Sequence, residues 1–130
     1  MIAENPVYGT LLASASRSVA TTSSAIEVKP GQHLTLFFSI TVVSGTGGLT
    51  LQVQQQDPTT GTWYTVANDS AARTTVIAFE YQIGAAAARG GGMSNVSALG
   101  YQLQLMGPVR INISVGDASA YTYSVTYIVG

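Results

Sequence analysis

Apolar residues in this chain recur at every second position, and that period decides what the chain can fold into. From Leu34, one parity holds Leu34, Leu36, Phe38, Ile40 and Val42, and the other holds His33, Thr35, Phe37, Ser39, Thr41 and Val43. Successive side chains of an extended chain leave opposite faces, so the first row faces a core and the second faces outward. The pattern returns in Leu49, Leu51 and Val53 against Thr50, Gln52 and Gln54. It returns again in Ile77, Phe79, Tyr81 and Ile83, and in Ile111, Ile113 and Val115 against Arg110, Asn112 and Ser114. Tyr121, Tyr123, Val125, Tyr127 and Val129 alternate with Thr122, Ser124 and Thr126. The one helix candidate, Ala85–Arg89, is far too short to be stable alone and is followed by Gly90-Gly91-Gly92.

Turn chemistry separates the runs. Asp57-Pro58-Thr59-Thr60-Gly61 offers Pro for the second turn position and Gly for a positive φ. Lys29-Pro30-Gly31, Ser44–Gly48, Met106-Gly107-Pro108 and Gly116–Ser119 mark further boundaries. Strands are therefore expected at 17–22, 25–29, 32–43, 48–56, 62–67, 74–83, 100–106, 109–115 and 120–129, about seven to nine once neighbours merge. Close succession of strands without helices predicts an all-β fold: an antiparallel β-sandwich, jelly-roll-like, as a single domain over 17–130. Residues 1–16 read as an N-terminal arm, and 84–99 as one long Ala/Gly loop.

Composition narrows the partners. Only 8% of residues are charged, 46% are hydrophobic, and the net charge is −1. Disordered chains need the opposite balance, and five cations cannot neutralise a phosphate track, so no nucleic acid is expected. No apolar run approaches the roughly 18 residues of a spanning helix, so no membrane partner is expected either. The opening Met1-Ile2-Ala3-Glu4-Asn5-Pro6 lacks the basic and apolar regions of a signal peptide. The chain has no Cys, which removes disulfides, thiolate metal sites and thiol catalysis.

Catalytic patterns are sparse. No two of the six carboxylates share a spacing that suggests an acid–base pair. His33 is a lone His without HxH or HExxH spacing. The 90–92 glycines lack the Lys-Ser/Thr of a phosphate loop. The expectation is a protein that is not an enzyme, with no catalytic, cofactor or metal site. The aromatic residues Trp63, Tyr64, Tyr121, Tyr123 and Tyr127 offer two readings: a platform for sugar rings, or filling for a sandwich core.

Two stretches carry a resemblance. Leu49–Val66, with Leu49-Thr50-Leu51-Gln52-Val53-Gln54 leading through Asp57-Pro58 and Gly61 to Trp63, is one. Val109–Val125, with Arg110, Gly116-Asp117 and Tyr121-Thr122-Tyr123-Ser124-Val125, is the other. With the lead-in Leu11–Thr22, they resemble small β-structural proteins of tailed bacteriophages and prophages over about residues 11–129. Pro108 and the Ala/Gly-rich 84–99 segment depart from that pattern. The resemblance implies a virion protein on the capsid exterior, made in the host cytoplasm. Its first form is a capsid decoration protein that cements neighbouring subunits of the major capsid protein, as a homo-oligomer with a trimer favoured. The alternative is a tail- or fibre-associated module that binds a host-surface carbohydrate. Partner contacts are expected from Asn5, Val7, Tyr8, Leu11 and Leu12 of the arm and from Arg89, Met93 and Asn95 of the loop.

Overall fold

The alternating rows become strands of two facing sheets. The computed structural model describes residues 7–69, 71–84, 98–102 and 105–130, with the backbone alone at 98–102. In chain order the strands are β1 (Val7–Arg17), β2 (Thr21–Thr22), β3 (Ile26–Val28), β4 (Leu34–Val43) and β5 (Leu49–Gln56). Then follow β6 (Trp63–Asn68), β7 (Ile77–Gly84), β8 (Ala98–Gln102), β9 (Gly107–Val115) and β10 (Tyr121–Val129). Sheet A runs β1-β10-β4-β7-β8, and sheet B runs β2-β9-β5-β6 with β3 also on β9.

The pairing is nested. β1 pairs with β10, β2 and β3 with β9, β4 with β7, and β5 with β6, all antiparallel. That is one long hairpin folded over itself, and the contacts β10–β4 and β9–β5 close it into two sheets. This is jelly-roll order; the alternation and turn spacing predicted an antiparallel sandwich of this class, and the strand order comes from the pairing alone. β8 is an addition at the edge, parallel to β7.

The inward rows fill the space between the sheets. Leu34, Leu36, Phe38, Ile40, Tyr81, Tyr121, Tyr123 and Val125 come from sheet A, and Leu49, Leu51, Val53, Val109, Ile111 and Ile113 from sheet B. Phe38 and Tyr123 meet edge-to-face with centroids 5.6 Å apart. Each such side chain contributes about 1.5–3 kcal/mol on burial, so these two layers hold the fold together. Tyr121 and Tyr123 are fully buried, which answers the core reading for two of the aromatic residues.

Two expectations need correcting. Of the arm expected at 1–16, residues 7–16 do not stand apart: from Val7 onward the chain is β1, registered against β10 from Val7–Val129 to Arg17–Tyr121, and residues 1–6 lie outside the described residues. The strand was hidden because its register slips between Thr10 and Leu12 and again between Leu12 and Ala15. Those slips break the two-residue period and let the adjacent Leu11 and Leu12 both turn into the core. The second correction concerns Val42. A register shift opposite Thr122 and Tyr123 leaves Thr41 without a partner, so the row flips. Val42 is exposed and Val43 packs against the core. The loop expected at 84–99 is shorter at both ends, because Gly84 belongs to β7 and Ala98 and Leu99 to β8; residues 85–97, with the helix candidate Ala85–Arg89, lie outside the described residues.

Candidate interaction face

The two outer faces of the sandwich differ in chemistry. On sheet B, side chains are tied to one another across the strands. The Thr22 hydroxyl donates to Asn112 Oδ1 at 3.1 Å, and Asn112 Nδ2 donates to Gln52 Oε1 at 3.0 Å. Arg110 Nε donates to Gln54 Oε1 at 2.8 Å, and Gln54 Nε2 to Thr65 Oγ1 at 3.3 Å. The Arg110 guanidinium also covers the Trp63 ring, 4.3 Å from its centroid. Register explains the rows: Thr22, Asn112 and Gln52 are cross-strand neighbours, as are Arg110, Gln54 and Thr65.

Sheet A presents a different surface. Its outward rows are Tyr8 and Thr10 on β1, Thr122, Ser124, Thr126 and Ile128 on β10, Thr35, Phe37 and Ser39 on β4, and Ala78, Glu80 and Gln82 on β7. Tyr8 is 77% exposed, Phe37 38% and Ile128 36%. The register sets Tyr8 opposite Ile128 and Thr126 opposite Phe37, so the three form a diagonal apolar stripe over three strands. Two grooves flank Phe37. One, of about 440 Å³, runs between Tyr8, Thr10, Thr126 and Ile128. The other, of about 250 Å³, is bounded by Ser39, Ala78 and Glu80. Among the described residues in these rows, Glu80 is the one with a formal charge.

Two polar clusters build the scaffold under these faces. In the crossing from β6 to β7, the buried Asp69 carboxylate takes Arg73 Nε at 2.7 Å and Nη2 at 2.8 Å. It also accepts from the Tyr81 hydroxyl and from the Ala71 N–H at 3.2 Å. Burial first, and then the adjacent carboxylate, push the Tyr81 phenol well above its ordinary value. The Arg73 guanidinium lies 4.1 Å from the Phe79 ring centroid. Each of these groups is satisfied by the others, so the cluster anchors the crossing segment.

At one end of the sandwich, Asp117 locks the β4–β5 loop to the β9–β10 loop. Its carboxylate accepts from Gly47 N at 2.8 Å, Ser119 N at 3.0 Å, Thr46 N at 3.1 Å and the Tyr121 hydroxyl at 3.1 Å. The Gly47 and Ser119 amides hold its pKa below the usual carboxylate range. The loops approach so closely that a Cβ on Gly47 would lie 2.5 Å from the Gly116 carbonyl carbon. His33 has a similar structural place. Its N–H donates to the Gly130 carbonyl at 2.8 Å, and its ring lies against Gly84, where a Cβ would collide with it.

Of the contact residues expected from sequence, the structure exposes Val7 (58%) and Tyr8 and buries Leu11 and Leu12 at 8% each. Leu11 and Leu12 are core residues, turned inward by the register slips of β1. Asn5, Arg89, Met93 and Asn95 lie outside the described residues. Trp63 pairs with Gln56 and Tyr64 with Gln55, so they leave β6 on opposite faces and make no shared platform. Phe37 and Ile128 were missed as candidates, although the signal was present. Each is a large apolar side chain in an otherwise Thr/Ser outward row. Among the described residues, no group of three or more His, Cys, Asp or Glu could hold a metal ion. No family model, curated protein or solved structure matches the chain.

Proposed function

We propose that this chain is a virion structural protein that works by burying its faces against neighbours, in the manner of a capsid decoration protein cementing the major capsid protein. The observation that carries the proposal is the outer face of sheet A. A stripe of Tyr8, Ile128 and Phe37 among Thr and Ser, with Glu80 the one carboxylate among the described residues of these rows, matches the apolar, charge-poor centre of a protein–protein interface. Covering such a face releases water from apolar area and sets one carboxylate, Glu80, against that gain, since desolvating charge is the expensive step.

The mechanism is mass action. A protein that binds the assembled shell and not its dissociated subunits stabilises the shell by RT ln(1 + [L]/Kd), about 2.7 kcal/mol per site at a hundredfold excess over Kd. Repetition over a lattice multiplies a modest contact. The test uses purified particles with and without the protein, challenged by heat or low salt. Particles carrying it are expected to survive longer. Equal survival overturns the cementing role, and localisation of the chain on a tail would move it to another virion position.

A further inference from the structure

The chain crosses from β1 to β2 by a very short arch. Arg17 ends β1 in sheet A, Thr21 opens β2 in sheet B, and Ser18, Val19 and Ala20 alone lie between. Each of the other crossings between the sheets is longer. Packed sheets lie about 10 Å apart, and the Cα steps from Arg17 to Thr21 reach at most about 13–14 Å. The arch is therefore close to taut. The Thr21 hydroxyl folds it by donating to the Val19 carbonyl at 3.1 Å. Val19 is 69% exposed and takes no part in the core. The arch holds no Gly or Pro, and its β-branched Val19 suits an extended backbone. β1 itself is the margin of sheet A, and among the described residues its strand pairing is with β10 alone. That ladder slips twice around Leu12.

We propose that β1 exchanges between two copies of this chain: the 18–20 arch straightens, and β1 of each copy lies on the β10 edge of the other. The two hinges then run antiparallel about a two-fold axis, with Val19 beside Val19. The inference goes beyond the virion reading and does not depend on it.

The occupant of the β10 edge is the strand already seen there, in the same register, with Val7 opposite Val129 and Arg17 opposite Tyr121. Leu11 and Leu12 enter the core of the other copy. The bond from Arg17 Nη1 to the Tyr123 carbonyl, 2.9 Å in the single chain, becomes one between copies. Closed and exchanged forms therefore bury the same strand contacts and differ at the hinge, which is why short hinges favour exchange. The closed form keeps a bent arch and an exposed valine. The exchanged form extends the arch and covers the valine. Against that gain stands the translational and rotational freedom lost when two copies join, so concentration sets the balance. Exchange between two copies is a two-fold alternative to the trimer that the resemblance implies.

The chain has no Cys, so two introduced thiols report the exchange without background. Thr10 and Thr126 face each other across β1 and β10. Cα atoms of antiparallel partners lie about 4.5–5.5 Å apart, within disulfide reach. The purified variant Thr10→Cys/Thr126→Cys is refolded from urea under reducing conditions at about 1 mM, where pairing between chains competes with closure. It is then fractionated by size, and each fraction is oxidised and run on a non-reducing denaturing gel. A dimer fraction is expected whose disulfides join two chains, so that it stays a dimer on the gel until reduced. The monomer fraction carries its disulfide within one chain. Inserting three glycines after Val19 slackens the arch and is expected to lower the dimer fraction about tenfold, whereas deleting Val19 is expected to raise it. Far-UV circular dichroism checks both hinge variants, and the insertion carries the test if the deletion fails to fold. A chain that gives no dimer at about 1 mM, a dimer whose disulfides lie within single chains, or a dimer undiminished by the insertion overturns the proposal. None of these outcomes bears on particle survival, which tests the virion role separately.

Discussion

Replacing Asp69 by Asn removes one charge from the most buried polar position described and changes almost no volume. The Asp69 side chain has no exposed surface, whereas Arg73 retains 20%. The carboxylate accepts from two guanidinium nitrogens, a phenol and an amide. Hydrogen bonds to a charged group are worth about 1.5–3 kcal/mol each, and breaking a buried ion pair by removing one partner costs about 3–5 kcal/mol. Asn keeps one acceptor oxygen and Arg73 can turn partly to solvent, so the net loss is expected near the lower figure, about 3 kcal/mol. For a domain of this length that lowers the melting temperature by about 10–15 °C. The chain holds a single Trp, Trp63, in β6 at the start of the same crossing, so its fluorescence reports urea unfolding directly. The midpoint should fall with the slope unchanged. Arg73→Met should cost at least as much, because it leaves the carboxylate buried beside Tyr81. The double variant should cost clearly less than the two losses added together. A loss under about 1 kcal/mol for Asp69→Asn, or additive losses in the cycle, would refute the anchoring role.

Two further outcomes follow from the loop lock and from β1. Because amide hydrogen bonds lower the Asp117 pKa in the folded state, its contribution is complete above the ordinary carboxylate value of 3.8 and is lost as pH falls through the lower folded value. Asp117→Asn should therefore reduce stability at neutral pH and flatten the acid limb of a plot of melting temperature against pH; an unchanged acid limb would count against the lock. Leu12→Ala should cost about 2–4 kcal/mol as a core truncation, against under about 0.5 kcal/mol for Tyr8→Ala in the monomer. Equal, small losses in thermal melts would show that β1 does not belong to the core.

Much of the fold was legible because burial on one face imposes a period of two. The rows at Leu34–Ile40, Leu49–Val53, Ile111–Val115 and Tyr121–Val129 became β4, β5, β9 and β10 with the expected residues inside. Where the period failed, the reading failed with it. In β1 the slips around Leu12 disguised a strand as an arm, and at Thr41 one unpaired residue exchanged the roles of Val42 and Val43. Neither is a matter of propensity: each is set by a partner strand more than 70 residues away in sequence, from residues near Tyr123. A strand was expected at 100–106 and β8 lies at Ala98–Gln102, but its parallel pairing with β7 was not legible, for the same reason. The proposed interaction face was half-visible. Tyr8 was named, whereas Phe37 and Ile128 stood in plain alternation with Thr and Ser. Their meaning appeared only when the register β1-β10-β4 laid them side by side.

The strands arriving last occupy the interior of both sheets. β10 sits between β1 and β4, and β9 separates β5 from β2 and β3. During synthesis, β1 through β7 therefore emerge without the strands that join them. β1 and β4 each wait with an open edge, and β2 and β3 have no sheet to enter. Contacts of such long sequence separation make folding slow and leave edges available to other chains. The last stretch from Gly107 onward acts as a wedge driven into two half-built sheets, so cooperative structure should be absent from any nascent chain that ends before it.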